Sequence, residues 1–586
     1  MKKIIDELRY IFPRKQQIGL ILLLVGIGMG TVLELLGVTA ILPFIDVVMN
    51  PESIQRKAYL RNAYEFLKFD SEVTFMIFLA FILIVVYVLK NLFLCLLYGL
   101  QYRFIFNNQK EIACRMLKCY MRQPYSFHLS HNSSDLIRNV STDTNMMFRG
   151  LLAILQTITE VAVCIALGVY LFILDKTITL GVGIIAGGFL VLFGKSFKGY
   201  LTKIGTEDRK YNANITKWLM QSFGGIKETK IMEREEYFLD KFEYSYENYA
   251  KCEKRYCFLQ AIPRPVIEAV CIGAILLVVI FKLMTGTQSN YFVTTLSVFA
   301  MAAFRLLPSV SRIANYLSII MFNKPAIDAV YHDLKEIDRI EKENSEKKED
   351  SEVLKIEKKI MIQNLSFRYP DSDKFVLENI NMEIEKNQSV ALIGPSGAGK
   401  TTLADIILGA LQPTEGGVYI DGKNIQKNMA AWHKNIGYIP QTIFLMDDTI
   451  RNNIAFGVDE ENIDEHRLWK AVEKAQLKDF IEGLDEGIET EIGEAGIRLS
   501  GGQRQRIGIA RALYHDPEVL VLDEATSALD NDTEEAVMEA INELAGSKTF
   551  IIIAHRLTTI RKCNQIFEVK NANVEKVGNE TVFFII

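Results

Sequence analysis

The chain has 586 residues, 49% of them hydrophobic and 23% charged, with a formal net charge of −5. That length allows several domains. The mild acidity gives no basis for a nucleic-acid partner, and eight scattered cysteines, such as Cys95, Cys114, Cys164 and Cys271, lack metal-like spacing and imply no disulfide framework.

Basic residues open the chain (Lys2, Lys3, Arg9, Arg14, Lys15). The apolar run that begins near Ile18 is too long for a signal-peptide core and lacks a small-residue cleavage site, so it reads as a first membrane span. Apolar stretches recur at 18–48, 73–100, 151–174, 178–193, 266–282 and 292–322, several reaching the ~20 residues needed to cross hydrocarbon. Six spans keep both ends on one side. Basic residues at the N-terminus and in 101–150 and 195–257 make that side cytosolic. The fourth stretch is short and glycine-rich, and the last is broken by Arg305, Pro308 and Arg312.

Between the first two spans, 51–69 places Ile54, Leu60, Tyr64 and Leu67 at near-helical spacing beside Arg56, Lys57, Arg61 and Lys68. This is the pattern of a helix lying on a membrane surface, or else of a plain exposed connector. Those bases on the outer side run against the positive-inside rule. Two cytosolic turns, 131–143 and 221–236, the second holding Gly224 and Gly225, are either force-transmitting docking helices or solvated connections.

Ionisable residues in membrane helices are expensive and point to function. Lys90 lies ~26 Å along the second span from its outer start and Arg305 ~20 Å along the sixth, at 1.5 Å per residue, so both fall toward the cytosolic leaflet. Arg305 and Arg312 are seven apart and share a helical face, while Arg264 stands at the entry of the fifth span. Together the four could line a cationic cavity suited to phosphate or pyrophosphate. Alternatively Arg264 pairs with Glu268, Arg312 snorkels, and Glu34 or Glu160 neutralises another cation.

The domain plan is 1–335 membrane domain, 336–358 Glu/Lys-rich linker and 359–586 soluble α/β domain. In the last, the apolar run Ser389-Val-Ala-Leu-Ile393 precedes Gly394-Pro395-Ser396-Gly397-Ala398-Gly399-Lys400-Thr401-Thr402. This is a phosphate loop in its strand, loop, helix context. Its glycines let backbone N–H groups face a phosphate, Lys400 supplies a cation and the Thr401 hydroxyl can ligate Mg²⁺. About 120 residues on, Val519-Leu-Val-Leu-Asp523-Glu524 is an apolar strand ending in a metal-orienting Asp and a water-activating Glu. Leu499-Ser500-Gly501-Gly502-Gln503 stands before it, and the strand Phe550-Ile-Ile-Ile-Ala554 capped by His555 follows.

In these motifs the chain closely resembles the ABC transporter family. The resemblance implies a six-span α-helical transmembrane domain fused to an α/β P-loop nucleotide-binding domain, the ABC exporter architecture. It implies ATP and Mg²⁺ as cofactors, a homodimer with Ser500 to Gln503 closing over ATP held by the other subunit, and Glu524, His555 and Lys400 as catalytic residues. Gln441, Thr401 and Asp523 would hold the metal, and Tyr369 would stack on adenine. Two departures are Ala495, where family exporters often have Arg, and Gly508 in place of a usual Ala.

The runs Ala261-Ile-Pro-Arg-Pro-Val-Ile-Glu268 and Phe304-Arg-Leu-Leu-Pro-Ser-Val-Ser-Arg-Ile313 are similar to those of the PglK family of lipid-linked oligosaccharide flippases. That likeness implies a bacterial inner-membrane half-transporter carrying an anionic, pyrophosphate-linked glycolipid from the cytosolic to the outer leaflet. A general lipid or multidrug exporter, and an ATPase that senses without transporting, are the alternatives.

Overall fold

In the computed structural model the chain divides into two compact units, residues 1–123 with 131–342, and residues 124–130 with 343–586. The structure describes residues 10–346 and 354–578, apart from 13, 50, 67–68, 70, 175, 285–289, 370–371, 524–538, 540, 542, 555–559 and 561.

The first unit is helical: α1 (Arg14–Met49), α2 (Glu72–Met121), α3 (Thr144–Leu174), α4 (Lys176–Gly224), α5 (Glu235–Ala261), α6 (Pro263–Met284) and α7 (Asn290–Glu346). Each expected apolar stretch lies within one of these helices. Among the described residues, three segments are long and apolar enough to cross a membrane, Gln16–Ile41, Glu72–Met121 and Ser133–Ile173. Helix α2 exposes Val73, Ile77, Phe81, Ile84, Val88 and Leu92, a stripe that water would penalise and hydrocarbon accepts.

Helix α7 runs on where the sequence suggested a break. It passes unbroken through Pro308 and Pro325; at Pro325 the freed Met321 carbonyl accepts from Thr202 Oγ1 of α4 at 3.3 Å, the kind of hydroxyl contact that lets a packed helix keep a proline. It also continues to Glu346, so the expected linker is helical at its start; Leu334 and Ile337 are buried and carry its packed face past residue 335.

Segment 51–69 forms two short helices, Ser53–Arg56 and Ala58–Phe66. Ile54 and Leu60 are buried with Val47 and Phe75, and the Tyr64 ring meets Phe75 edge to face at 5.3 Å. The apolar side of this segment therefore packs on the ends of α1 and α2; Leu67 lies outside the described residues. Of the expected cytosolic turns, 131–143 contains helix Ser133–Arg138 and one π-helical turn, Asn139–Asp143, and 221–236 contains helix Ile226–Ile231. Both belong to the first unit, whereas the short helix Tyr125–Ser130 groups with the second.

Beyond the spans, the first unit is tied by buried charge. Asp143, fully buried, accepts from Arg209 at 2.8 and 2.6 Å and from Arg138 Nε at 3.2 Å. Asp333 accepts from Tyr120 Oη at 2.7 Å and Asn139 Nδ2 at 2.8 Å. Asp208, 3% exposed on the C-terminal half of α4, has its carboxyl pushed up to about 7 by burial and by the nearby charges of Glu253 and Asp143. Here α4 touches the α7 backbone: a Cβ on Gly205 would sit 2.0 Å from Phe322 O.

The second unit has two sheets. Strands β1 (Lys359–Phe367), β2 (Leu377–Glu385), β4 (Glu415–Ile420) and β5 (Lys423–Asn424) pair antiparallel in the order β2-β1-β4-β5. Strands β3 (Ser389–Ile393), β6 (Ile436–Ile439), β7 (Val519–Asp523), β8 (Thr549–Ile553), β9 (Gln565–Lys570) and β10 (Asn573–Val577) form the order β10-β9-β3-β8-β7-β6, parallel from β9 to β6. Both faces of the central strands are covered, which is why they read as continuous apolar runs. Val390, Leu392, Val519, Val521, Ile551 and Ile553 enter one core, and Ala391, Ile393, Leu520, Leu522, Phe550 and Ile552 enter the other.

Candidate functional site

The parallel register sets where the chemistry falls. Leu392 pairs with Ile553 and Leu522 with Ile552, so β3, β8, β7 and β6 finish at one edge, the end where open α/β sheets bind ligands. The phosphate loop leaves β3 there, Asp523 ends β7, and Gln441 follows β6. Glu524 and His555 directly follow β7 and the end of β8, but lie outside the described residues.

The loop itself is a backbone cradle. Gly394, Gly397 and Gly399 have φ of 138°, 78° and 103°, values that only glycine adopts cheaply. A Cβ on Gly394 would lie 2.2 Å from Val569 O, so the loop presses directly on β9. From Gly399 the chain enters helix α8 (Lys400–Leu408). Buried Lys400 donates from Nζ to Gly394 O at 2.8 Å and Pro395 O at 3.0 Å, which curls the ammonium into the loop. Pro395, Ser396 and Thr401 are exposed, Ala398 is half-buried, and Thr402 is buried with its hydroxyl 3.2 Å from Tyr369 Oη. The Tyr369 ring meets Phe367 edge to face at 5.0 Å. A nest of N–H groups, one ammonium and a helix N-terminus together fit a polyphosphate. The exposed Thr401 hydroxyl and Gln441 amide with the buried Asp523 carboxylate make an oxygen donor set of the kind Mg²⁺ takes.

Asp405, one turn into α8, was not legible as a site residue. Burial and the neighbouring Asp523 push its carboxyl up to about 6. Only its spacing of four from Thr401 on the same helix could have drawn notice.

The segment Ser500 to Gln503 caps and starts helix α9 (Gly501–Tyr514). Ser500 Oγ accepts from Gln503 N at 3.2 Å and Ser500 N donates to Gln503 Oε1 at 2.7 Å, a reciprocal cap that leaves the N–H groups of Gly501 and Gly502 at the positive helix end. Ala495 stands at φ 52° between Gly493 and Gly496, both also at positive φ. The second departure has a packing cause: a Cβ on Gly508 would come within 2.4 Å of Ile443 Cδ1.

The membrane charges are not four equivalent cations. Lys90 is 5% exposed, lies 3.2 Å from Glu34 Oε2 and sits 4.6 Å from the Tyr87 ring centroid. Arg312 lies 2.6 Å by Nε from Glu160 Oε1, with Nη2 donating to Glu160 Oε2 at 3.1 Å and Ser309 Oγ at 3.3 Å. Arg264 and Glu268 are both exposed. Arg305 lies on α7, with its side chain outside the described set.

An ABC transporter family pattern matches residues 377–527, and the ABC transporter transmembrane region matches 20–320. The chain belongs to the ABC transporter family. The ATP-dependent lipid A-core flippase of Cupriavidus metallidurans is 30% identical to this transporter over 477 residues, 80% of the chain and 78% of that protein. The heterocyst differentiation ATP-binding protein HepA of a Nostoc species is 28% identical over 480 residues, 80% of the chain and 77% of its own length. A solved bacterial Atm1-family ABC exporter with ATP bound shares the fold, with a TM-score of 0.74 at 22% identity, covering 96% of each chain. The transporter is accordingly a helical transmembrane domain fused to an ATP-hydrolysing domain, and it couples ATP hydrolysis to transport.

Proposed function

We propose that this ABC transporter works as a homodimer in a bacterial inner membrane and moves an anionic, pyrophosphate-linked glycolipid, of the lipid-linked oligosaccharide class, from the cytosolic to the outer leaflet. The observation that carries the reading is Arg312, whose side chain is 42% exposed on a membrane helix. A cation kept accessible at that depth is costly unless an anion uses it. The flippase relative supports a lipid cargo.

On this reading Lys400 and the loop 394–402 hold the phosphates, while Thr401, Asp523 and Gln441 would hold Mg²⁺, which when bound would supply positive charge against the phosphates. Glu524 orients and polarises the attacking water, His555 contacts the terminal phosphate, Tyr369 packs on the adenine, and Ser500 to Gln503 close on nucleotide bound by the second copy. Arg264, Arg305 and Arg312 are the cationic residues assigned to the headgroup, whereas Lys90, which the sequence groups with them, is sealed against Glu34.

A second reading, an exporter of apolar lipids or drugs, is favoured by one feature. A cavity of about 460 Å³ between α1, α2 and α3 is lined by Leu20, Leu24, Phe104, Ile105, Leu155 and Ile158. ATPase activity in proteoliposomes separates the two. A polyprenyl pyrophosphate is expected to stimulate hydrolysis and a neutral polyprenol is not; equal stimulation by both, or by neither, overturns the anionic reading.

A further inference from the structure

Among the described residues, the ion pairs Lys90–Glu34 and Arg312–Glu160 are built differently. Lys90 and Glu34 are sealed on both sides, at 5% and 6% side-chain exposure. Tyr87, which sits beside Lys90, donates through its hydroxyl to Gly37 O at 3.1 Å, and a Cβ on Gly37 would lie 3.2 Å from Lys90 Cδ. Nothing the size of a headgroup reaches that ammonium without separating α1 from α2.

The Arg312 and Glu160 pair is one-sided. The Glu160 side chain is 8% exposed, the Arg312 side chain 42%. Although Nε lies 2.6 Å from Glu160 Oε1, its N–H points off the acceptor, so Nη2 alone makes the directed bond to Glu160. A well-aligned fork would use two parallel bonds. Tyr98 on α2 and Tyr316 on α7 stand within electrostatic reach of both members of the pair, and Ser309 Oγ receives a second bond from Nη2. Arg312 therefore holds an imperfect internal anion while keeping an accessible face.

We infer that Glu160 is the internal counter-anion of Arg312, a stand-in for the headgroup pyrophosphate that cargo must displace to bind and that recaptures the guanidinium on release. The inference rests on the anionic-lipid reading above. Glu160 is a positioning residue that sets how tightly the accessible cation takes an anion. It keeps the empty site neutral in hydrocarbon, where a lone guanidinium is costly, and lets the cargo leave. Lys90, by the same contrast, acts as a helix tether that the headgroup does not touch.

The test uses the full-length transporter in proteoliposomes and reads the concentration of a short-chain polyprenyl pyrophosphate that half-maximally stimulates ATPase activity, with neutral polyprenol and inorganic pyrophosphate as parallel arms. Removing the competing carboxylate in Glu160→Gln is expected to lower that concentration by about tenfold, and Arg312→Gln to raise it by about tenfold, the worth of one charge-assisted contact. The double variant is expected to match Arg312→Gln. A structural tether would predict the opposite sign for Glu160→Gln, so a value equal to or above wild type overturns the inference and leaves the anionic-lipid reading standing. Absence of wild-type stimulation overturns both. Full stimulation by inorganic pyrophosphate alone overturns a lipid headgroup as the displacing anion. If Glu160→Gln fails to assemble, Glu160→Asp keeps a shorter, weaker pair, and is expected to lower the concentration by about threefold; no decrease overturns the inference.

Discussion

The nucleotide unit builds its binding site from consecutive backbone, and the membrane unit builds its polar centre from side chains far apart in sequence. In the loop 394–399 the N–H groups are aimed by glycine dihedrals and by contact with β9, and Lys400 is curled onto carbonyls five and six residues before it. In the membrane unit Glu34 meets Lys90 across 56 residues and Glu160 meets Arg312 across 152. A backbone cradle is set once, by folding. A side-chain pair can trade one partner for another, which is what a site that must both load and unload requires.

The comparison breaks most sharply at the backbone. Gly394→Ala would place a Cβ against Val569 O at a φ of 138°, and ATP binding is expected to be lost altogether. Binding of a fluorescent ATP analogue at wild-type strength would show that the cradle tolerates side chains. Glu524→Gln is expected to bind ATP but hydrolyse it at least ~100-fold more slowly, as removal of a catalytic base does. Wild-type turnover would remove Glu524 from that role.

On the membrane side, Lys90→Met removes the ammonium that lies 3.2 Å from buried Glu34, and the expected loss is about 3 kcal/mol of stability, read as a drop in thermal midpoint. Glu34→Gln combined with Lys90→Met is expected to recover most of it. No loss in the single variant would mean that the sealed pair does not tether α1 to α2.

A smaller effect concerns Asp208. Its folded carboxyl titrates near 7 against about 3.9 when unfolded, so the stability tied to its protonated form is full below pH 4 and lost as pH rises through 7. Asp208→Asn is therefore expected to stabilise the protein by about 2 kcal/mol at pH 8 and hardly at all at pH 4. Thermal melts at the two pH values check the sign. The smallest expected change is Gly508→Ala, about 1 kcal/mol destabilising from contact with Ile443, and relieved by Ile443→Val.

Much of the nucleotide unit was legible because its instructions are local. Glycines that need positive φ, an apolar strand before them and a lysine after them all sit within a dozen residues. The six apolar stretches were legible for the same reason. Pairing was not: Glu34 and Glu160 could be named as possible counter-ions, but helical spacing cannot say which cation each one meets, and it grouped Lys90 with Arg312 although one is sealed and the other open. Asp405 and Asp208 were missed because their titration is set by burial and by carboxylates brought up through folding.

The most direct test is leaflet exchange of a pyrophosphate-linked glycolipid in proteoliposomes, measured with ATP, without ATP and with Glu524→Gln. Movement that requires both ATP and Glu524 is the predicted result. Robust ATP hydrolysis by the wild-type transporter with no movement of the glycolipid would contradict the account and turn the search to an apolar cargo.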